Sequence, residues 1–263
     1  MPAPSSLAEI ARVPALPSAA RRLWAQALDA IFPPRCAACG RSGTLLCAAC
    51  QSQVLPVPQP VCRRCGRPEA PGPFCSDCQG NTFHVSAIRA AGIYARPLSQ
   101  VIQAFKYEGR RDLHLPLSGL MIAYWQARAV DTDLVAAVPL HEDKLQERGF
   151  NQSQLLAEAL CRALNKPLIQ PGPLRRVRKT RQQALLGLAD RRQNVVGAFA
   201  WQGPTLEGQK VLLIDDVATS GSTLEACGEA LRAAGAAKVW ALTIARAIPP
   251  ALRAGQPGRS RKD

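Results

Sequence analysis

No stretch of this sequence sustains the roughly 18 to 20 apolar residues that cross a bilayer as a helix, so no membrane span is expected. The start of the chain lacks the basic-then-apolar order of a secretory signal, so a cytoplasmic protein in a reducing compartment is expected. Aromatic residues make up only 5%, which disfavours a nucleic-acid surface built mainly on base stacking. Acidic residues are outnumbered: 19 Asp and Glu stand against 33 Lys and Arg, a net charge of +14. That excess favours polyanionic partners: nucleic acid, anionic lipid or phosphorylated small molecules. Two common nucleotide signatures are also missing, the G-x-x-x-x-G-K-[ST] loop and the glycine-rich dinucleotide fingerprint. What is present is 263 residues, 47% apolar and 20% charged. That is enough for one medium α/β domain plus a small module, or for two small domains.

Eight of the ten cysteines fall between Cys36 and Cys78, all as C-x-x-C: Cys36/Cys39, Cys47/Cys50, Cys62/Cys65 and Cys75/Cys78. Disulfides do not need paired two-residue gaps. Tetrahedral zinc does, because the turn brings two thiolates to one ion about 2.3 Å away. Eight thiolates therefore predict two zinc sites. Closed sites of four cysteines leave no position for a reacting water, so both ions are expected to be structural. An oxidised, disulfide-rich module is the alternative, and the missing secretory signal speaks against it.

The segment is also an internal repeat, CAACGRSGTLLCAAC followed by CRRCGRPEAPGPFCSDC. Each copy reads C-x-x-C-G-R, a spacer, an apolar residue (Leu46 or Phe74) and a second C-x-x-C. Gly40 and Gly66 stand where the knuckle turn needs a positive φ. The repeat favours sequential pairing, four consecutive cysteines per ion, over a cross-braced arrangement. His84 could replace a ligand, although the eight thiolates already balance. Cys161 and Cys227 sit in helical patterns and read as buried, inert thiols. Arg35, Arg41, Arg63, Arg64 and Arg67 make the module basic. This suits contact with a phosphate backbone, or the module only packs on the next domain.

Residues 1–20 are rich in Pro, Ala and Ser and are expected to be mobile. Trp24, Leu28, Ile31 and Phe32 recur at helical spacing, which predicts an amphipathic helix over 18–32 that Pro33 and Pro34 stop. Such a helix packs on the domain or lies on a membrane surface. Beyond residue 81 strand and helix patterns alternate. Strands are expected over 87–94, 133–139, 195–201, 209–215 and 238–245, and helices near 97–107, 115–127, 151–164 and 222–234. This alternation predicts a mainly parallel sheet with crossover helices, with ligands beyond the carboxyl ends of the strands. The Pro-, Gly- and Arg-rich tail from 249 is expected to be disordered.

The most informative segment is VLLIDDVATSGSTLEACGEAL, 211–231. An apolar run ends in Asp215 and Asp216; Ala218 leads into Thr219, Ser220, Gly221, Ser222 and Thr223, and a helix begins. Hydroxyls, a glycine that permits close backbone approach, and free amides at the helix start make a phosphate cradle. Carboxylates beside a phosphate would repel it unless they bind sugar hydroxyls or Mg²⁺. The ligand should therefore carry a phosphate and a diol a few ångströms apart, as in a ribose 5-phosphate.

This stretch closely resembles the signature of type I phosphoribosyltransferases, which bind phosphoribosyl pyrophosphate (PRPP). The chain resembles the ComF family more narrowly over roughly residues 23–246. The likeness rests on the cysteine repeats, FKYEGRRDL (105–113), VPLHEDKLQERGFNQ (138–152) and RQQALLGLADRRQNVVGAF (181–199). The resemblance implies an α/β fold: a type I phosphoribosyltransferase-like, mainly parallel sheet with flanking helices behind a small double zinc-ribbon module. The expected organisation is an N-terminal segment and helix (1–35), the ribbons (36–80), the phosphoribosyltransferase-like domain (81–248) and a basic tail (249–263).

It further implies that Asp215 and Asp216 hold the ribose hydroxyls, that residues 218–223 hold the 5′-phosphate, and that Mg²⁺ accompanies PRPP. The pyrophosphate loop would begin at Pro139. Lys144 and Arg148 would pair with pyrophosphate oxygens and Gly149 would add an amide, or Arg148 is a solvated helix-end charge. Lys106 faces the same cleft, or snorkels to solvent. Arg175, Arg176, Arg178, Lys179 and Arg181 match the position of a loop that closes over substrate, could equally hold a DNA backbone, or are simply solvated. Gln183, Arg191, Arg192 and Asn194 complete the block without assigned roles.

The implied activity is transfer of a phosphoribosyl group to an acceptor that the chain does not name, serving DNA uptake in natural transformation. Oxopurine-type relatives carry a carboxylate where this chain has Thr219, so an oxopurine acceptor is not expected. The alternative is a non-catalytic competence factor that binds single-stranded DNA or docks an uptake helicase, with a vestigial or regulatory pocket.

Overall fold

The computed structural model describes residues 33–68, 72–128, 130–178 and 195–248. The expected helix over 18–32, the tail, and Lys179, Arg181, Gln183, Arg191, Arg192 and Asn194 lie outside these residues. A short helix, α1 (Ala48–Gln51), belongs to the first cysteine repeat. Then follow β1 (Ala87–Ile93), α2 (Leu98–Tyr107), α3 (His114–Gln126), β2 (Leu134–Ala137), α4 (Glu142–Arg148), α5 (Gln152–Leu164) and β3 (Leu174–Arg176). The last elements are β4 (Phe199–Trp201), β5 (Lys210–Ala218), α6 (Ser222–Ala233) and β6 (Lys238–Arg246).

Four strands form one parallel sheet in the order β1-β6-β5-β2. Its centre is β5 and β6, whose apolar residues, apart from the half-buried Val217 and Trp240, are buried because helices or the small sheet cover both faces. On one face lie α2, α3 and α5. Leu98, Val101, Ile102 and Phe105 realise the i, i+3, i+4, i+7 pattern read from the sequence, and all four are buried. Cys36, Leu46, Cys47 and Cys50 of the first repeat join this same cluster. On the other face α6 packs with a two-stranded antiparallel sheet, β3 and β4.

Three expectations shift. The strand expected over 209–215 runs on to Ala218, so the acidic pair lies inside β5. The strand expected over 195–201 is confined to Phe199–Trp201. Its partner β3 sits inside the basic stretch, which had no strand reading. Among the described residues no helix is long and apolar enough to cross a membrane.

The fold creates its crevice by the direction in which helices leave the sheet. After β2 the chain enters α4 and α5, and α5 packs on one face. After β5 it enters α6, which packs on the other. Neighbouring strands whose following helices part to opposite faces leave an opening at their carboxyl ends. Here that opening lies between Pro139 and the loop after Ala218.

Candidate functional site

The eight paired cysteines form two clusters in sequential fashion: Cys36, Cys39, Cys47 and Cys50, and Cys62, Cys65, Cys75 and Cys78. In each the four sulfurs lie within 4.8 Å of one another. A tetrahedron with zinc–sulfur bonds of about 2.3 Å has an edge near 3.8 Å. Cys39 and Cys47 Sγ are 3.7 Å apart, as are Cys65 and Cys75 Sγ. The repeats also share knuckle bonds: Cys47 N–H donates to Cys36 Sγ at 3.5 Å, and Cys75 N–H to Cys62 Sγ at 3.4 Å. Both clusters fit structural zinc, with no ligand position left over.

The second site is a cleft of about 380 Å³ at the sheet crevice. Its floor is the acidic pair. Leu212, Ile214 and Val217 of β5 pack with one core, Leu213 and Ala218 with the other, so the period of two slips by one residue across Asp215–Asp216. Both carboxylates can then reach helices of the same layer. Lys106 Nζ at the end of α2 pairs with Asp216 Oδ1 at 2.7 Å. Ser153 Oγ on α5 donates to Asp215 Oδ1 at 2.9 Å, and so does the Asp216 N–H, also at 2.9 Å. Asn151 places α5: its Oδ1 caps the helix by accepting from Ser153 N–H at 3.0 Å, and its Nδ2 donates to Val138 O at 3.0 Å.

Burial pushes the Asp215 carboxyl up to about 7, and the neighbouring Asp216 charge adds to the rise against the pull of Lys106. Burial works against the Lys106 ammonium, yet Asp216 and then Asp215 hold it above the usual lysine range. Asp216 is 4% exposed, and its Oδ2 has no hydrogen-bond partner among the described residues.

The other sequence-predicted residues divide. Pro139, Arg148, Thr219 and Thr223 line the cleft with the acidic pair. Arg148 donates to Gln152 Oε1 and lies over the Tyr107 ring, 5.4 Å from its centroid. Gly149 caps α4 at φ 75°, and its carbonyl accepts from Arg111. Lys144 points elsewhere, to Glu147 at 2.5 Å on the exposed side of α4. Gly221 caps α6 at φ 86°, and a Cβ there would meet Ile88 Cδ1 at 2.7 Å. Ser220 and Ser222 hydroxyls bond each other at 2.8 Å and line a separate cavity of about 220 Å³ beside Glu225.

Of the basic cluster, Arg176 lines the cleft from β3. Arg175 donates to Gly172 O at 2.8 Å and Arg178 to Val196 O at 2.7 Å. The sequence reading missed Ser153 and Gln152; for Arg176 it offered a place over the substrate as one of three alternatives, on a loop rather than on the strand where it lies. Polar residues in the first turn after the N-cap candidate Asn151 were the signal available for Ser153 and Gln152, and their burial emerges only in the fold.

Residues 27–79 match the double zinc ribbon domain family, and residues 152–253 match the phosphoribosyl transferase domain family. Competence protein F of Haemophilus influenzae is 31% identical over 210 residues, an alignment covering 77% of this chain and 90% of that protein. The chain belongs to the ComF family. Other ComF-family relatives are competence protein ComFC of Bacillus subtilis (27% identical, covering 76% of this chain and 84% of that one) and DNA utilization protein YhgH of Escherichia coli (30%, covering 75% and 89%). The ComF-family chain thus joins a double zinc ribbon to a sheet of phosphoribosyltransferase type. Lys106, Pro139 and Arg148 precede the matched phosphoribosyl transferase segment, and the fold brings them to its acidic pair.

Proposed function

We propose that the cleft binds phosphoribosyl pyrophosphate with Mg²⁺, and that the chain uses it in the competence and DNA-use role its relatives' names describe. The observation that carries this reading is the buried Asp216 Oδ2, an acceptor without a partner among the described residues, on the floor of the cleft. A ribose hydroxyl supplies the missing donor. Asp215 takes the second hydroxyl of the diol. Thr219 and Thr223, with the positive end of α6, receive the 5′-phosphate. Arg148 and the backbone from Pro139 face the pyrophosphate end, and Lys144 reaches it on releasing Glu147.

In turnover, an acceptor nucleophile forms a bond to ribose C1 as the bond from C1 to the pyrophosphate oxygen breaks. The leaving pyrophosphate carries off the electron pair, and Mg²⁺ supplies charge neutralisation there when bound. Lys106, paired with Asp216 at 2.7 Å, adds positive charge at the floor of the cleft.

Calorimetric titration with PRPP and Mg²⁺ tests this reading. Saturable binding by the wild type that disappears in Asp215→Ala/Asp216→Ala supports it; a folded wild type that takes up no PRPP overturns it. The pH dependence has a definite sign. If the diol needs Asp215 ionised, lowering the pH from about 8 to about 6, across a pKa of about 7, weakens binding about tenfold. Asp215→Asn abolishes that slope.

A further inference from the structure

Arg246, the last residue of β6, is 1% exposed, and none of its three guanidinium nitrogens has a hydrogen-bond partner among the described residues. A guanidinium cannot escape by losing its proton, so a buried one requires a nearby negative charge. Among the described residues, groups of opposite sign that act on it are the sulfurs of Cys65, Cys78 and Cys75, and the knuckle that carries Cys65 is pressed onto β1, the strand paired with β6, where Ile88 N–H donates to Arg64 O at 2.6 Å. As neutral thiols they supply no charge. Bound to zinc they are thiolates, and a zinc ion with four thiolates carries a net double negative charge. Arg67, a cation that also acts on it, is already bound to Asp77 at 2.5 Å.

We propose that Arg246 is the buried counter-charge of the zinc centre in the second ribbon. The first ribbon has a different arrangement, since Cys39 is exposed and water can screen its centre. The pairing also links the metal to the candidate PRPP site. Arg246 lies in register with Ile93 of β1 and Ala218 of β5. Tyr94 N–H donates to Arg246 O at 2.8 Å, and the next residue, Ala247, donates to Ala218 O at 2.9 Å. Ala218 opens into the Thr219–Thr223 loop. Loss of zinc from the second ribbon therefore strands a buried charge at the strand end that holds this loop.

The test uses the full chain loaded with zinc in both ribbons. Zinc transfer to a chromogenic chelator is followed for wild type, Arg246→Met and Arg246→Lys, each also in a Cys39→Ser background that removes the first site. The absorption of the cobalt-substituted second site is recorded alongside. Arg246→Met is expected to weaken the second site by about 10- to 100-fold, as loss of an outer-shell partner does. It should shift the thiolate-to-cobalt band and leave the first site unchanged, while Arg246→Lys retains most of the affinity. Wild-type zinc release from Arg246→Met overturns the proposal.

Should Arg246→Met fail to fold, Cys75→Ser/Arg246→Met decides. A stranded charge makes this double variant melt higher than Cys75→Ser alone, whereas a packing role makes it melt lower. Amide hydrogen exchange over 218–223 is expected to quicken in Cys75→Ser. Unchanged exchange there overturns the link to the loop. Neither readout depends on PRPP binding.

Discussion

Cys36, Cys47 and Cys50 of the first ribbon are buried in the same apolar cluster as Leu98, Val101 and Phe105, whereas the second ribbon's cysteines form a separate cluster flanked by Phe74 and Phe83. The two knuckle glycines differ as well. Gly40, at φ 76°, has open space where a Cβ would go; Gly66, at φ 69°, would place one 2.4 Å from Ile88 O. The second knuckle is pressed onto the sheet edge, where Ile88 N–H donates to Arg64 O at 2.6 Å and Arg89 Nη2 to Arg63 O at 2.9 Å. The cysteine spacing fixes the interior of both ribbons alike. Their flanks decide whether a ribbon extends the core or covers the exposed edge of β1, which would otherwise offer unpaired backbone groups.

The sharpest way to break this comparison is to give both knuckles the same side chain. Gly40→Ala bears only the strain of a left-handed alanine, about 1 to 2 kcal/mol. Gly66→Ala bears that strain and must also push β1 away from the knuckle, so a loss of at least about 3 kcal/mol is expected. Chemical denaturation of the zinc-loaded proteins measures both, and equal losses would refute the edge-docked view of the second ribbon. A smaller effect comes from the matched apolar positions. Leu46 is 7% exposed and lies in the main cluster, so Leu46→Ala should cost about 2 to 4 kcal/mol. Phe74 is only partly buried, against its own small cluster and the Arg64 guanidinium 5.3 Å from the ring centroid. Phe74→Ala should cost about half as much. A greater loss from Phe74 than from Leu46 would reverse the assignment of which ribbon is part of the core.

What could be read in the sequence was whatever local spacing encodes. The C-x-x-C pairs, the helical stripe of α2 and the apolar run into an acidic pair each carry their geometry within a few residues. The sequential grouping of the cysteines also follows the repeat. What stayed hidden depends on distant parts of the chain meeting. The slip in alternation at Asp215–Asp216 is visible only once two cores claim opposite sides of β5. Ser153 gains meaning only when α5 lies beside β5. Lys106 read almost as well as a snorkelling lysine until its 2.7 Å pairing with Asp216 was in place. The strand Leu174–Arg176 was masked by its own charge: two of its three residues are arginine. A three-residue strand shows no reliable alternation, and only its partner Phe199–Trp201 defines it.

The smallest expected effect separates the ribbons by a single charge. In the first repeat the second cysteine pair encloses Ala48 and Ala49; in the second it encloses Ser76 and Asp77. Arg67 uses that difference, binding Asp77 Oδ2 at 2.5 Å, with the two side chains 27% and 40% exposed. Exposure of this order screens the pair, which should contribute no more than about 1 kcal/mol. Arg67 also repels the buried Arg246, and removing it relieves that repulsion, which reduces the net cost further. Arg67→Ala is therefore expected to cost between about zero and 1 kcal/mol, and Arg41→Ala in the first ribbon about zero. The Arg67/Asp77 double-mutant cycle should give a coupling that fades between low and high salt. A coupling that stays large at high salt would mean that the pair is buried in the working protein, and that the second ribbon is covered on its outer face as well as on the face it presents to β1.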